Sequence, residues 1–172
     1  MALVSYVSTE QATDAVRSVF DGMQHKIGVV PNVFRTMAHS PEMLQAFLAL
    51  NATLAKTELD GKLRELAYMK CSQLNGCDYC LHHHKNHGRK VGLTDRQINE
   101  VNNFETSDAY DDLQRDVLRY AEEVTRHIDV SEELFGRLRA QLSERALVEL
   151  AMTVGIANFT NRVTQTLKIE LP

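Results

Sequence analysis

Cysteine is scarce in this chain of 172 residues: three stand at positions 71, 77 and 80. So few exclude the disulfide framework of a small secreted domain, and an odd number with two in a CxxC spacing suits a reducing compartment and a catalytic or metal pair. An excess of one charge sign is also missing. The formal net charge is −4, with acidic and basic residues interspersed, which leaves no basic patch for nucleic acid or anionic lipid. No apolar run is long enough to span a membrane. The opening residues MALVSYVSTEQ lack the basic-then-apolar pattern of a signal peptide, so a cytoplasmic protein is expected. There is no low-complexity tract, no internal repeat and no sustained alternation of period two. With no strand to predict, the expected class is all-α, and the thioredoxin fold, which sets its CxxC beside a sheet, is disfavoured. A chain of this length can bury most of its apolar surface around one core, so residues 1–172 are expected to form a single domain.

What is present is helix punctuation. Ser8 or Thr9 is placed to cap a first helix with Val16, Val19, Phe20 and Met23 on its apolar face, and Gly28 closes it. Val29-Val30-Pro31 reads as an extended link before a short helix from Asn32. Ser40-Pro41-Glu42 starts another, with proline in the first turn. Thr57 with Asp60 makes a capping-box-like start for the helix that carries Glu65. Beyond Gly92, helices are expected after Thr94-Asp95, over the Leu113–Val124 repeat, after Ser131, and from Ser143 to about Leu167.

The chain is organised around residues 57–92, with the tract ELAYMKCSQLNGCDYCLHHHKNHGRK at its centre. Asn75-Gly76 is a turn signal, so Gly76 should end one helix and Cys77 begin the next. Cys77, Cys80 and His84 stand at offsets zero, three and seven, and at about 100° per residue they project within an arc of about 60°. Two cysteines at i and i+3 on a helix have Cα atoms about 5 Å apart, within disulfide range. In the first helical turn, unpaired N–H groups and the dipole favour a thiolate. His84, one turn beyond Cys80, can exchange a proton with it. An antiparallel helix pair across Gly76 brings Glu65, roughly 16 Å from the turn, near the level of His84, roughly 12 Å from it. A carboxylate there fixes the imidazole tautomer and raises its basicity. Thiol, base and orienting acid are all present.

Glu65, Cys77 twelve residues later, the CDYC box and His84 four residues past Cys80 together resemble the signature of the alkylhydroperoxidase D-like proteins, within the carboxymuconolactone decarboxylase superfamily. The resemblance runs from the VPNVF segment at residues 30–34 to the Asn161-Arg162 pair of the closing helix. It implies a compact all-helical bundle with the CxxC at the N-terminus of a central helix, assembled as a homo-oligomer, with a trimer or hexamer favoured. It also implies a thiol-dependent hydroperoxide reductase in which Cys80 attacks the peroxide and Cys77 resolves it. A lipoyl-bearing or thioredoxin-like dithiol donor would then reopen the disulfide, with no cofactor and no metal. One position departs from the pattern. Where some peroxidases of the family carry a histidine just before the second cysteine, this chain has Tyr79, which shortens the proton relay. The superfamily name also admits a lactone decarboxylase, which would not need the cysteine pair, and a CxxC also suits a disulfide-exchange or redox-sensing protein.

Several residues have plainer readings. Cys77, Cys80, His84 and His87 are the residue types of a zinc set, but on one helix they climb over about 15 Å, too far for four bonds of about 2.0–2.3 Å to one ion. Two or three of them can bind metal adventitiously. His87 lies on the stripe as a supporting group beside His84; His82 and His83, about 140° and 240° from Cys77, point to surface or interface. Cys71 falls on an apolar face as a core thiol. Tyr79 is either pocket wall or hydrogen-bond donor. Asn158, Asn161 and Arg162 interrupt an apolar helix and need partners, either in a network between subunits, which is preferred, or at the border of the site.

Overall fold

The structure, a computed structural model, describes residues 1–171, and among them there is helix and turn but no strand. The chain divides into two compact units. One comprises Met1–Ala55 with the residues from Thr164 onward, the other Lys56–Val163.

In the first unit, α1 (Asp14–Ile27) begins later than the serine and threonine upstream suggest. Thr13 is its cap, its hydroxyl accepting from the Val16 N–H at 3.4 Å. Ser8 instead opens a separate turn, its carbonyl accepting from the Ala12 N–H and its hydroxyl from the Gln11 N–H. Two good capping residues thus compete, and the one followed by the continuous apolar face of Val16 and Phe20 starts the helix. Gly28 ends it at φ 75°, the left-handed conformation that glycine adopts without cost. α2 (Asn32–Met37) and α3 (Pro41–Thr53) follow, the latter with its proline in the first turn. Val16, Phe20, Val30, Ala38 and Leu44 make the core of this unit.

The second unit is built on α4 (Gly61–Leu74). Asp60 caps it by accepting from the Lys62 N–H at 2.8 Å, so the start lies at Asp60 rather than Thr57. Every residue from Glu65 to Ser72 is buried, so α4 is the helix around which the unit packs, chiefly against α5 (Asp78–Lys90) and α7 (Asp112–His127). α5 itself is half exposed: Tyr79, Cys80 and Gly88 face inward and His82, Asn86 and Arg89 outward. α6 (Asp95–Asn99) and α7 each open with a reciprocal capping box, Thr94 with Gln97 and Asp111 with Gln114. α8 (Glu132–Arg139) precedes α9 (Glu144–Thr166), whose residues to Val163 belong to this unit. Leu66, Met69, Ile98, Phe104 and Leu118 form the core beside α4. No helix among the described residues is long and apolar enough to cross a membrane.

Candidate active site

The turn between α4 and α5 does what Asn75-Gly76 predicts. Gly76 takes φ 64°, and the Cys77 N–H then donates back to the Ser72 carbonyl at 2.8 Å. Cys77 is the N-cap of α5, and its sulfur accepts from the Cys80 N–H at 3.3 Å, as a serine hydroxyl would in that place. An N-terminal N–H directed at sulfur favours its anionic form. Both side chains are shielded: Cys77 is 1 % exposed and Cys80 3 %.

The antiparallel α4–α5 pair brings Glu65 and His84 into contact, with the imidazole Nδ1 2.7 Å from Glu65 Oε2. Nδ1 therefore carries the proton and donates it to the carboxylate, which leaves the Nε2 lone pair as the basic position. Burial alone would raise the Glu65 pKa. Burial is the largest single influence, but the His84 hydrogen bond, the positive charge of His84 and His87 when protonated, and the Arg64 guanidinium together exceed it and hold the carboxyl below its usual range. Arg64 Nε donates to the other oxygen, Oε1, at 3.3 Å. The His84 ring lies flat on Tyr68, with centroids 3.4 Å apart and planes at 13°. Tyr68, three residues past Glu65 on α4, was not singled out from the sequence. An aromatic at i+3 on the carboxylate's own face was the available signal.

His87 packs edge-on to His84 at 5.4 Å between centroids. Although His87 is exposed overall, the partial desolvation of its ring lowers its pKa, the neighbouring His84 lowers it further, and Glu65 only partly opposes them. One ligating atom each from Glu65, His84 and His87 lie within 4.8 Å of one another, a donor set of the kind that holds a metal. His82 is exposed, but His83 is half-buried, with its ring 4.7 Å from that of buried Tyr79. His83 Nε2 is buried and has no hydrogen-bond partner among the described residues. Its pKa is pushed down to about 4, first by burial and then by the neighbouring His82, His84 and His87. His83 thus stands as part of the wall beside Tyr79 rather than as a surface residue.

Behind the turn is a set of amides. Asn75 Nδ2 donates to Asn158 Oδ1 at 3.0 Å and to Asn161 Oδ1 at 2.9 Å, and Asn161 Nδ2 donates to the Ser72 hydroxyl at 3.1 Å. Arg162 Nη1 donates to Asn158 Oδ1 at 2.7 Å. Within the chain these α9 residues bond to the turn that carries Cys77 and to one another, because α9 passes directly behind it. Cys71 is the core thiol that its apolar face predicts. It is fully buried, it accepts from the Thr125 hydroxyl at 3.3 Å, and burial pushes its pKa up to about 11.

Comparison with known proteins extends these observations. A model of the carboxymuconolactone decarboxylase family matches residues 41–123. The uncharacterized protein YdfG of Bacillus subtilis is 26 % identical over 127 residues, 73 % of this chain and 86 % of YdfG. An uncharacterized peroxidase-related protein from Ralstonia eutropha, described as an alkylhydroperoxidase AhpD core, is 26 % identical with a TM-score of 0.89, over 99 % of this chain and 92 % of that one. A peroxidase-related protein from Silicibacter sp. TM1040 has the same identity and coverage and a TM-score of 0.88. A cysteine-to-alanine variant of the debrominase Bmp8, in complex with 2,3,4-tribromopyrrole, is 25 % identical with a TM-score of 0.86, over 100 % of this chain and 92 % of that one.

Proposed function

Because the chain is an alkylhydroperoxidase D-like member of the carboxymuconolactone decarboxylase superfamily, we propose that it is a thiol-dependent hydroperoxide reductase working through Cys80, Cys77, His84 and Glu65. The observation that carries this reading is the 2.7 Å contact between Glu65 on α4 and His84 on α5, the helix that begins with the two cysteines. Glu65 keeps the Nδ1 proton of His84 in place, and Nε2 takes the proton of Cys80 directly or through a water. The Cys80 thiolate attacks the peroxide O–O bond, which breaks. Sulfur becomes a sulfenic acid, and the leaving oxygen collects a proton as alcohol or water. Cys77, its sulfur already an acceptor for a helix N–H, attacks the sulfenic sulfur and expels water, leaving a Cys77–Cys80 disulfide. A dithiol on a lipoyl-bearing or thioredoxin-like protein returns the two electrons by exchange. Neither metal nor organic cofactor takes part in these steps. Tyr79, against His83, walls the site. The protein works in the cytoplasm as a homo-oligomer, a trimer or hexamer.

A second reading has one observation in its favour, the likeness to debrominase Bmp8 over the whole chain. The same thiol pair can give two electrons to an aryl bromide, so that bromide leaves, the ring carbon gains a proton and the disulfide closes. One experiment separates the two. Reduced, metal-free wild type, Cys80→Ser and Cys77→Ser proteins are treated with cumene hydroperoxide or with 2,3,4-tribromopyrrole, and thiols, peroxide and bromide are counted. Peroxide reduction predicts two thiols lost per peroxide in wild type, none in Cys80→Ser and a trapped sulfenic acid in Cys77→Ser. If thiols survive hydroperoxide at about the rate of free cysteine while bromide is released, the peroxidase reading falls and dehalogenation replaces it.

A further inference from the structure

His87 is the one member of the Glu65–His84 constellation that the proposed chemistry leaves unused. Two imidazoles and a carboxylate are a common donor set for zinc, which takes three protein ligands and leaves a fourth position to solvent. Here the carboxylate comes from α4 and both histidines from α5, so the ligands converge from two helices instead of climbing one. That removes the objection to a CxxC-and-histidine ladder. The donor atoms lie within 4.8 Å of one another, whereas a tetrahedral ion with bonds of about 2.0–2.1 Å holds its ligands roughly 3.3 Å apart. Closing that difference falls to His87, which is exposed on the last turn of α5. The other two are held already. Arg64 occupies Glu65 Oε1 and leaves Oε2 for the ion, and the His84 ring is pinned flat on Tyr68. Exposure of His87 also gives the ion a route from solvent.

We propose that Glu65, His84 and His87 bind one divalent ion of the zinc class, and that the ion takes the Nδ1 lone pair of His84, so that the imidazole proton moves to Nε2 and the ring can no longer accept a proton from the cysteine pair. Zinc and proton compete for the same nitrogen–oxygen gap, 2.7 Å wide when the proton bridges it. Metal occupancy and proton relay are therefore mutually exclusive. The binding half stands on the donor set alone, and the inhibitory half rests on the relay reading above.

The test separates these halves. Equilibrium dialysis with zinc chloride on the Cys77→Ser/Cys80→Ser chain, where the paired thiols cannot compete, should give one ion per chain, with affinity reduced about tenfold or more by His87→Ala or Glu65→Gln in that background. No stoichiometric ion, or an ion retained by His87→Ala, overturns the site. In the chain with its native cysteines, zinc should slow iodoacetamide alkylation of Cys80 at least tenfold and leave the His87→Ala protein's own rate unchanged. Equal slowing in both proteins means that zinc sits on the cysteines and overturns the switch. Alkylation reads the thiolate without peroxide, so the switch stands or falls independently of whether the enzyme consumes hydroperoxide.

Discussion

Glu65 on α4 and Asp116 on α7 are both nearly sealed from water, 4 % and 3 % exposed, yet their partners differ in kind. Asp116 is gripped by two guanidinium groups. Arg137 Nε reaches Oδ2 at 3.0 Å and its Nη2 reaches Oδ1 at 3.0 Å, while Arg119 Nη1 reaches Oδ1 at 2.9 Å. For both carboxyls burial pushes the pKa up and hydrogen-bonded partners more than offset it. A guanidinium keeps its proton at any pH the cell visits, so the Asp116 cluster can only hold α7 and α8 together. An imidazole can both take and give up a proton, so the Glu65 pair can hold or pass one. Burial and a lowered pKa alone do not mark a functional carboxylate; the exchangeability of the partner does.

That contrast can be broken at either end. Asp116→Asn leaves two cations facing a neutral amide and should cost about 3 kcal/mol of stability, read from urea midpoints. The rate of peroxide-driven thiol loss in the folded protein should change by less than about twofold. Glu65→Gln should do the reverse, slowing thiol loss about a hundredfold because a neutral amide no longer stabilises the imidazolium that forms when Nε2 takes the thiol proton, while costing only about 1 kcal/mol because a glutamine oxygen still accepts from Nδ1. If both variants lose stability and keep activity, Glu65 is structural like Asp116 and the relay is wrong.

Acid sharpens the comparison further. Each folded carboxyl lies below its unfolded value. The stability each contributes is therefore complete above the unfolded carboxyl range of about 3.9–4.3 and is lost as pH falls through the folded value. Urea melts of wild type and Asp116→Asn should differ by a constant amount from about pH 8 to pH 5 and converge below about pH 4. A gap that closes near neutrality would mean that a histidine, not a carboxylate, is titrating. The smallest expected effect is at the turn. Gly76→Ala forces a side chain onto φ 64° and should cost about 1 kcal/mol, measured by the same melts.

The site was legible where it is local. Cys77 caps the helix on which Cys80 and His84 stand one turn apart, and Glu65 returns to His84 because a glycine turn joins two helices of similar length. What escaped depends on elements distant in sequence. That Asn158 and Asn161 serve the Asn75 turn follows only from where α9 passes, and periodicity along α9 says no more than that they need partners. His83 looked superficial on a helical wheel and is half-buried, because its angle does not reveal that the buried Tyr79 ring covers that side of α5. Thr13 rather than Ser8 starts α1, for both residues cap and only packing chooses between them.

The face-to-face contact of Tyr68 with His84 gives this protein an optical handle. The chain has five tyrosines and no tryptophan, so its near-ultraviolet emission comes from phenols alone. A ring stacked on an imidazole loses excited-state lifetime when that imidazole becomes a cation. The charge on His84 should therefore be readable as a step in tyrosine fluorescence that Tyr68→Phe removes, with no label attached and without a turnover having to occur.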